Sequence, residues 1–525
     1  MSGERAVTQA AEWHPSVNPW FIAAAVMLAT FMEVLDTTIT SVALPNIAGS
    51  LAATNDEATW VLTSYLVANA IVLPASGWFA ARFGRKRFLL ACTGIFTFAS
   101  FLCAFAPSMP ILILARILQG AGGGALQPLS QAILLESFPR EKQGMAMAVF
   151  GMGVVGAPII GPVLGGWLTD NYSWRWVFQI NIPIGILAVI LIARFLEDPP
   201  YIRDAKPGTI DGTGFALLTV WLATLQIVLD KGQQEDWFGS TWITWFSVIS
   251  VAALLALVVR ELWAAEPIVD LRAFLNRNFS VGTVMTAVIM AAMYSALTML
   301  PLFLQTLLGY TSQSAGMAQA PRGIGAMIAM PIVGILMSYV DGRWLMSLGV
   351  ACVAASTFLF GSLTLDVSMS SIVWPNILQG VGMGLTMVPL MAMAVGTLPK
   401  EKMGNATGIF NLMRNLGGSI GISVSTTFLA RMTQAHQTNL VGHLTPYDPV
   451  FQQQFSTMAA GLGQYSAGPQ AQMQAYGMLQ GILLQQSNVS AYIDMFRWTA
   501  VMIILCLPGT WILKRTLTKD KVALH

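Results

Sequence analysis

Long apolar runs alternate along this chain with short polar connections. A helix needs about 20 mostly apolar residues to cross the hydrocarbon core of a bilayer. Runs of that kind begin near Trp20, Thr59, Phe88, Ile111, Gln143 and Trp176. Two more cover about 212–229 and 241–262, and six follow from Val281, Ser314, Trp344, Ile372, Asn405 and Ala491. The pattern predicts an all-α integral membrane protein of fourteen spans. Composition agrees: of 525 residues, 55% are hydrophobic and 10% charged, against roughly 25% charged in soluble proteins. The first 19 residues lack the basic, short apolar and small-residue pattern of a cleaved signal. The first span is therefore expected to act as its own insertion signal.

Lysine and arginine test the count, because positive loops stay on the cytoplasmic side. With the N-terminus inside, twenty of the 27 basic residues fall on the inner side, among them Arg82, Arg85, Lys86 and Arg87. Four fall outside (Arg175, Lys231, Arg431, Arg497) and three lie within spans (Arg116, Arg322, Arg414). One miscounted span would invert every later loop, so the bias supports fourteen spans with both termini cytoplasmic. The four cysteines, Cys92, Cys103, Cys352 and Cys506, sit in apolar runs at unrelated spacings and imply no disulfide or metal site. No cofactor motif is present, and no basic cluster interleaved with aromatics suggests nucleic acid.

The chain also repeats itself. Leu118–Gly124 answers to Leu378–Gly384, and Pro139–Gly144 continuing to Phe150 answers to Pro399–Gly404 continuing to Phe410, both at an offset of 260. Spans 4 and 5 therefore correspond to spans 12 and 13. The organisation expected is a tail (1–19), a six-helix half (20–200), an inserted hairpin of spans 7 and 8 (201–272), a second six-helix half (273–515) and a tail (516–525).

Ionisable groups inside a bilayer cost about 2.5–3.5 kcal/mol each even on the lenient insertion scale. Glu33 and Asp36 in span 1 lie three residues apart, hence on one helical face. Asp36 and Arg116 of span 4 lie at matching depths, roughly 13 Å below the outer end at about 1.5 Å per residue. One reading is a structural ion pair. The other is proton coupling, with Asp36 the main proton site, Glu33 accessory and Arg116 tuning the equilibrium. Arg322 and Arg414 have no acidic partner in their own half. Two readings stand for them: hydrogen bonding to backbone carbonyls, or attraction of anionic substrate groups. Polar or amphipathic groups within spans, Tyr65, Asn69, Gln127, Tyr294 and Gln305, are the remaining candidates for a substrate cavity.

Several segments resemble one family, the EmrB-like fourteen-span drug:proton antiporters of the major facilitator superfamily. The resemblance covers nearly the whole chain. Leu35-Asp36-Thr37-Thr38-Ile39-Thr40-Ser41-Val42-Ala43-Leu44-Pro45 matches its span-1 signature, and Trp60–Tyr65 its span-2 pattern. Its cytoplasmic loop motif is met by Gly77, Arg82, Gly84, Arg85 and Lys86, although Ala81 stands where the family has aspartate. Its span-4 motif is met by Leu112, Arg116, Gln119 and Gly120. Ala157, Pro158, Gly161, Pro162, Gly165 and Gly166 resemble the span-5 antiporter motif, in which prolines kink the helix and glycines allow close contact. Asn411–Ser419 resembles the family in span 13.

The resemblance implies a major facilitator fold and export of hydrophobic or amphiphilic drugs against inward proton flow across the bacterial inner membrane. Span 13 is followed by a stretch outside the membrane, 432–492, glutamine-rich and nearly uncharged, parts of which read as short amphipathic helices. By resemblance this is a docking surface for an EmrA-like periplasmic adaptor leading to an outer-membrane channel; otherwise it folds over the outer mouth. His436 and His443 in it lack further metal ligands. Rival functions are a proton symporter or facilitator of a small polar metabolite, a membrane enzyme and a membrane scaffold. No Walker loop, zinc motif or nucleophile cluster supports an enzyme, and a scaffold leaves the buried charges without a purpose.

Overall fold

A computed structural model of the chain describes residues 15–139, 142–199, 211–264, 267–398, 403–442, 444–445, 447–462 and 468–514. Residues 1–14 and 515–525, loop 200–210, Arg140, Glu141, residues 399–402 and His443 lie outside the described residues, so the loop charges predicted there are not placed. The helices are α1 (Pro19–Ser50), α2 (Asn55–Phe83), α3 (Arg85–Ala104), α4 (Met109–Ser137), α5 (Gln143–Asn171), α6 (Trp176–Phe195), α7 (Gly212–Lys231) and α8 (Thr241–Trp263). They continue as α9 (Arg277–Thr306), α10 (Ser312–Leu336), α11 (Gly342–Phe360), α12 (Met369–Val395), α13 (Met403–Val441), α14 (Pro449–Leu462), α15 (Gly468–Ile504) and α16 (Leu507–Ile512).

Polar side chains start many of them by accepting from N–H groups that have no partner inside the helix. Thr54 and Glu57 form a reciprocal capping box on α2, and Asp211, Asn276, Thr311 and Asp341 cap α7, α9, α10 and α11. α4 is interrupted by a turn at Gly124–Ala125.

Packing repeats as the sequence does. In the first half α1 packs on α5 and α6, α2 on α4, and α3 on α4 and α6. In the second, α9 packs on α13 and α15, α10 on α12, and α11 on α12 and α15. The halves meet along α5 with α10 and α2 with α13. α7 and α8 pair with each other and α7 leans on α2, where Lys231 Nζ donates to Thr59 Oγ1 (2.8 Å) and Thr63 donates to Asp230. Large apolar side chains face outward along the bundle, among them Phe98, Leu114, Ile190, Val251 and Leu255. A water-soluble monomer rarely shows apolar surface on this scale.

Thirteen helices among the described residues are long and apolar enough to cross a membrane. The one expected span outside that set is α13, which is long enough but carries Asn405, Thr407, Asn411, Arg414 and Asn415 along its buried first half. The stretch after it also differs from expectation. α13 runs on to Val441 and α15 begins at Gly468, so both helices project beyond a hydrocarbon core of about 30 Å. His436 Nε2 with Asp494 Oδ2 (2.8 Å) and Thr433 with Asn488 (3.0 Å) tie the two projections together. α14 packs on α15 through Phe455 against Tyr476, ring centroids 4.5 Å apart.

Candidate functional site

Asp36 and Arg116 meet at the centre of the first half, and both side chains are fully buried. Arg116 Nη1 donates to Asp36 Oδ2 at 2.5 Å, and Arg116 Nε donates to the Val61 carbonyl at 2.9 Å. Gln119 Nε2 (2.9 Å) and Asn181 Nδ2 (2.7 Å) both donate to Asp36 Oδ1. Gln119 also accepts from Arg116 (2.7 Å) and donates to Ser100 (2.8 Å). The guanidinium lies 4.2 Å from the centroid of the Tyr65 ring, an arrangement in which the ring face stabilises the cation. Asp36 thus has a cation and two amides aimed at it, the donor set that stabilises a charged carboxylate.

One turn away, Glu33 is held differently. Its Oε1 accepts from Tyr65 Oη (3.3 Å) and Asn69 Nδ2 (3.1 Å), and its Oε2 accepts from Gln127 Nε2 (2.6 Å). These are neutral donors. The nearest cation arrives indirectly: Arg414 Nη2 of α13 donates to Gln127 Oε1. Glu33 is therefore linked through one amide to a cation of the other half. Beside this link, Asn411 Nδ2 donates to Gln131 Oε1 (2.5 Å), a second bond between the halves.

The small residues of α5 place α1. A Cβ at Gly161 would collide with the Thr38 side chain, and one at Gly165 would lie 3.1 Å from the Ile39 carbonyl. A Cβ at Gly166 meets nothing within 4 Å. Ala157 is fully buried and Pro158 half-buried, while Pro162 lies within the helix.

The loop motif gathers at one end of the bundle, here called the basic end. Gly84 closes α2 with φ +85°, a backbone conformation that favours glycine. Buried Arg85 pairs with buried Glu136 at the end of α4, and the Lys86 N–H donates to Asp198 Oδ1 (2.8 Å). Arg82 is half-buried in the last turn of α2. Just outside it, Asp198's neighbour Glu197 accepts from the Ser16 side chain and N–H, which hold its carboxyl below its ordinary value.

At that end the halves touch through glycines. A Cβ on Gly77 of α2 would lie 2.6 Å from the backbone of Gly404–Asn405 on α13, and one on Gly144 of α5 would lie 3.1 Å from the Gly334 carbonyl on α10. Gly77 and Gly334 differ by 257 in number, and Gly144 and Gly404 by 260, so the two seams are counterparts in the repeat. Of the other cavity candidates, Tyr294 is partly exposed with its ring over Gly418, Gln305 is half-buried, and Arg322 is buried on α10. Sequence reasoning missed Asn181, Ser100 and Glu136. Only Asn181, a lone amide in an apolar run, carried a signal.

The described residues hold no group of three or more histidine, cysteine, aspartate or glutamate side chains that could bind a metal. All four cysteines are free.

Two bundles packed by one scheme, with a buried acid–arginine network in the first, define a membrane transporter of the major facilitator type. A sequence profile of the Major Facilitator Superfamily matches residues 26–422, and the chain belongs to that superfamily. It is 40% identical over 436 residues to multidrug export protein EmrB of Haemophilus influenzae, covering 83% of this chain and 85% of that one. To EmrB of Escherichia coli K12 it is 37% identical over 492 residues, covering 93% and 94%. Among solved structures, a doubly tryptophan-substituted XylE superposes with a TM-score of 0.60 at 14% identity, covering 95% of this chain and 97% of that one; this likeness shows the fold alone. The chain is a multi-pass membrane transporter of the multidrug efflux kind.

Proposed function

We propose that the protein is a proton-driven antiporter that expels hydrophobic and amphiphilic compounds across the bacterial inner membrane and has no catalytic activity. The carrying observation is the pair of buried acids on one face of α1, one locked to Arg116 and the other held by neutral donors. In this reading the basic end faces the cytoplasm, as do both termini, and α13 completes fourteen spans. Residues 20–200 and 273–515 move as two halves, with the hairpin within 201–272 riding on α2.

Sequence alone put Asp36 first as the proton site. The geometry favours exchange at Glu33, because amide and hydroxyl groups can serve either protonation state, whereas removing the charge of Asp36 strands Arg116. Protonating Glu33 replaces one acceptor by a donor and forces Gln127 to reorient, which alters the group that Arg414 of the other half engages. Proton state and the relation between halves are thereby coupled. In this reading the seams closed by Gly77 and Gly144 shut the cytoplasmic end, and release is to the opposite side. A voltage of 100 mV supplies about 2.3 kcal/mol per charge, enough for a gradient of roughly 50-fold per proton.

The projections of α13 and α15 with α14 expose Tyr447, Val450, Met473 and Tyr476. This surface fits an EmrA-like periplasmic adaptor in a tripartite path to an outer-membrane channel. Deleting 440–485 should spare insertion and abolish co-purification with the adaptor; unchanged co-purification removes the docking role. The deciding experiment for antiport is transport in proteoliposomes under an imposed pH gradient. Substrate must leave against proton entry; substrate and protons moving the same way would instead establish a symporter.

A further inference from the structure

The two halves match in backbone packing and differ in charge. Arg116 Nε donates to the Val61 carbonyl, and its counterpart Asn376 donates to the Ala318 carbonyl at 3.1 Å. A Cβ on Gly120 would strike the Tyr65 carbonyl, and one on Gly380 would strike the Arg322 carbonyl. The α4 and α12 members of these pairs differ by 260, and the α2 and α10 members by 257. Arg322 therefore stands in the second half where Tyr65 stands in the first. Gly161 faces Thr38 and Gly421 faces Ala291, so α1 and α9 correspond at an offset of 253. The positions of Glu33 and Asp36 are then occupied by Thr286 and Ile289. Glu33's neutral partners Asn69 and Gln127 become Ala326 and Met387.

Each half thus buries an arginine in one layer, and the second half lacks the acids that would neutralise it. Arg322 is 7% exposed, and neither Nε nor Nη2 has a hydrogen-bond partner. No aspartate or glutamate occurs anywhere in α9–α13. Among the described residues of the two six-helix halves, the buried charges are the Arg85–Glu136 pair at the basic end and, deeper in the bundles, Glu33, Asp36, Arg116, Arg322 and Arg414. Arg116 is matched by Asp36, Arg414 reaches Glu33 through Gln127, and Arg322 is left over. A cation kept in a membrane interior without a counterion is costly. The cost falls when a ligand brings the missing anion to it.

The structure assigns Arg322 as the site that holds the anionic group of a transported amphiphile: a carboxylate or sulfonate on an apolar body, seated between α9 and α10 at the place corresponding to Glu33. The assignment rests on the transport reading for its purpose, but binding can be measured without transport. The probes are 1-anilinonaphthalene-8-sulfonate and N-phenyl-1-naphthylamine, which share one skeleton and differ by the sulfonate. Binding is read by fluorescence with the full chain in phosphatidylcholine nanodiscs, which carry no anionic lipid. Arg322→Gln should weaken the sulfonate by about tenfold or more, the scale of a lost charge-assisted hydrogen bond, and leave the neutral probe within about twofold. Arg322→Lys should restore part of the difference. Thr286→Glu, which keeps Arg322 but supplies an internal counterion at the place corresponding to Glu33, should reproduce the selective loss. A wild-type protein that does not bind the sulfonate overturns the assignment. So does an unchanged sulfonate affinity in Arg322→Gln, or equal loss of both probes in that variant and in Thr286→Glu. If proteoliposomes show no proton-driven export while the sulfonate selectivity holds, antiport fails and the anion site stands.

Discussion

Replacing Gly77 by alanine should open the basic end of the bundle, including the seam that the substitution does not touch. A Cβ at Gly77 would lie 2.6 Å from the backbone of Gly404 and Asn405. Ordinary contact starts at 3.4 Å, so α2 and α13 must separate by about 0.8 Å or more in the closed state. Backbone cannot yield as a flexible side chain does, and forced overpacking typically costs about 1–3 kcal/mol. The penalty applies only where the seam is shut. At about 1.4 kcal/mol per factor of ten, the closed state should lose roughly 5- to 140-fold in relative population. The readout is placed on the other seam. Ala148 of α5 is fully buried in one cluster with Ala326, Met330 and Val333 of α10. A cysteine there, with the four native cysteines replaced, should react with a membrane-impermeant maleimide several-fold faster in Gly77→Ala than with glycine kept. Gly334→Ala should act alike on a cysteine beside Gly77. If Gly77→Ala leaves labelling at 148 unchanged, the halves do not rock as rigid bodies and the paired-seam reasoning is wrong.

Other substitutions separate the roles of the buried groups. Asp36→Asn leaves Arg116 without its counterion and should cost about 3–5 kcal/mol of stability, read as a lowered midpoint in thermal unfolding. Glu33→Gln keeps neutral hydrogen bonding to Tyr65, Asn69 and Gln127, so it should leave that midpoint nearly unchanged and abolish transport driven by a pH gradient; retained coupling removes Glu33 from the proton path. Gly161→Val should displace α1 by its clash with Thr38 and destroy activity, whereas Gly166→Val enters open space and should be nearly silent in the same export assay. At the base of the hairpin, burial raises the Asp211 carboxyl, but the Gly214 N–H and Arg260 outweigh it and hold the group below its ordinary value. Its folded form is therefore the more acidic. The contribution is complete at neutral pH and disappears as pH falls through the lowered value, so Asp211→Asn should flatten the acid limb of thermal stability below about pH 4.

The parts of the site legible in the sequence were those governed by cost. Glu33, Asp36 and Arg116 stand out because charge is rare in apolar runs, and their depths follow from helical rise. What completes them was not legible. Asn181 reaches Asp36 only because α6 packs on α1, and Glu136 reads as a loop acid until α3 brings Arg85 to it. α13, expected as a span from Asn405, is less apolar than the other spans for the same reason in reverse: buried among protein helices over its first half, it needs less apolar surface than a helix facing lipid. In the stretch at 432–492 the short helix α14 answers to the amphipathic pattern, with Phe455 packed on Tyr476 of α15. The extent of helix around it was not legible, because it follows from the continuation of α13 and α15 beyond the bilayer.

Symmetry is kept where parts must move and broken where chemistry differs. Both seams at the basic end use glycine against backbone, at positions that the repeat relates, so halves that rock as rigid bodies open both together. Neither the acids of α1 nor the arginine of α10 is duplicated. A rocking motion about equivalent seams therefore carries unequal charges past each other: Arg414 moves relative to Gln127 and Glu33, while Arg322 moves with a half that contains no acid in α9–α13. In the antiport proposed above, proton and substrate anion would sit on opposite sides of one interface. Exchange then requires that the two occupancies exclude each other through the position of the halves, since they do not compete for one site.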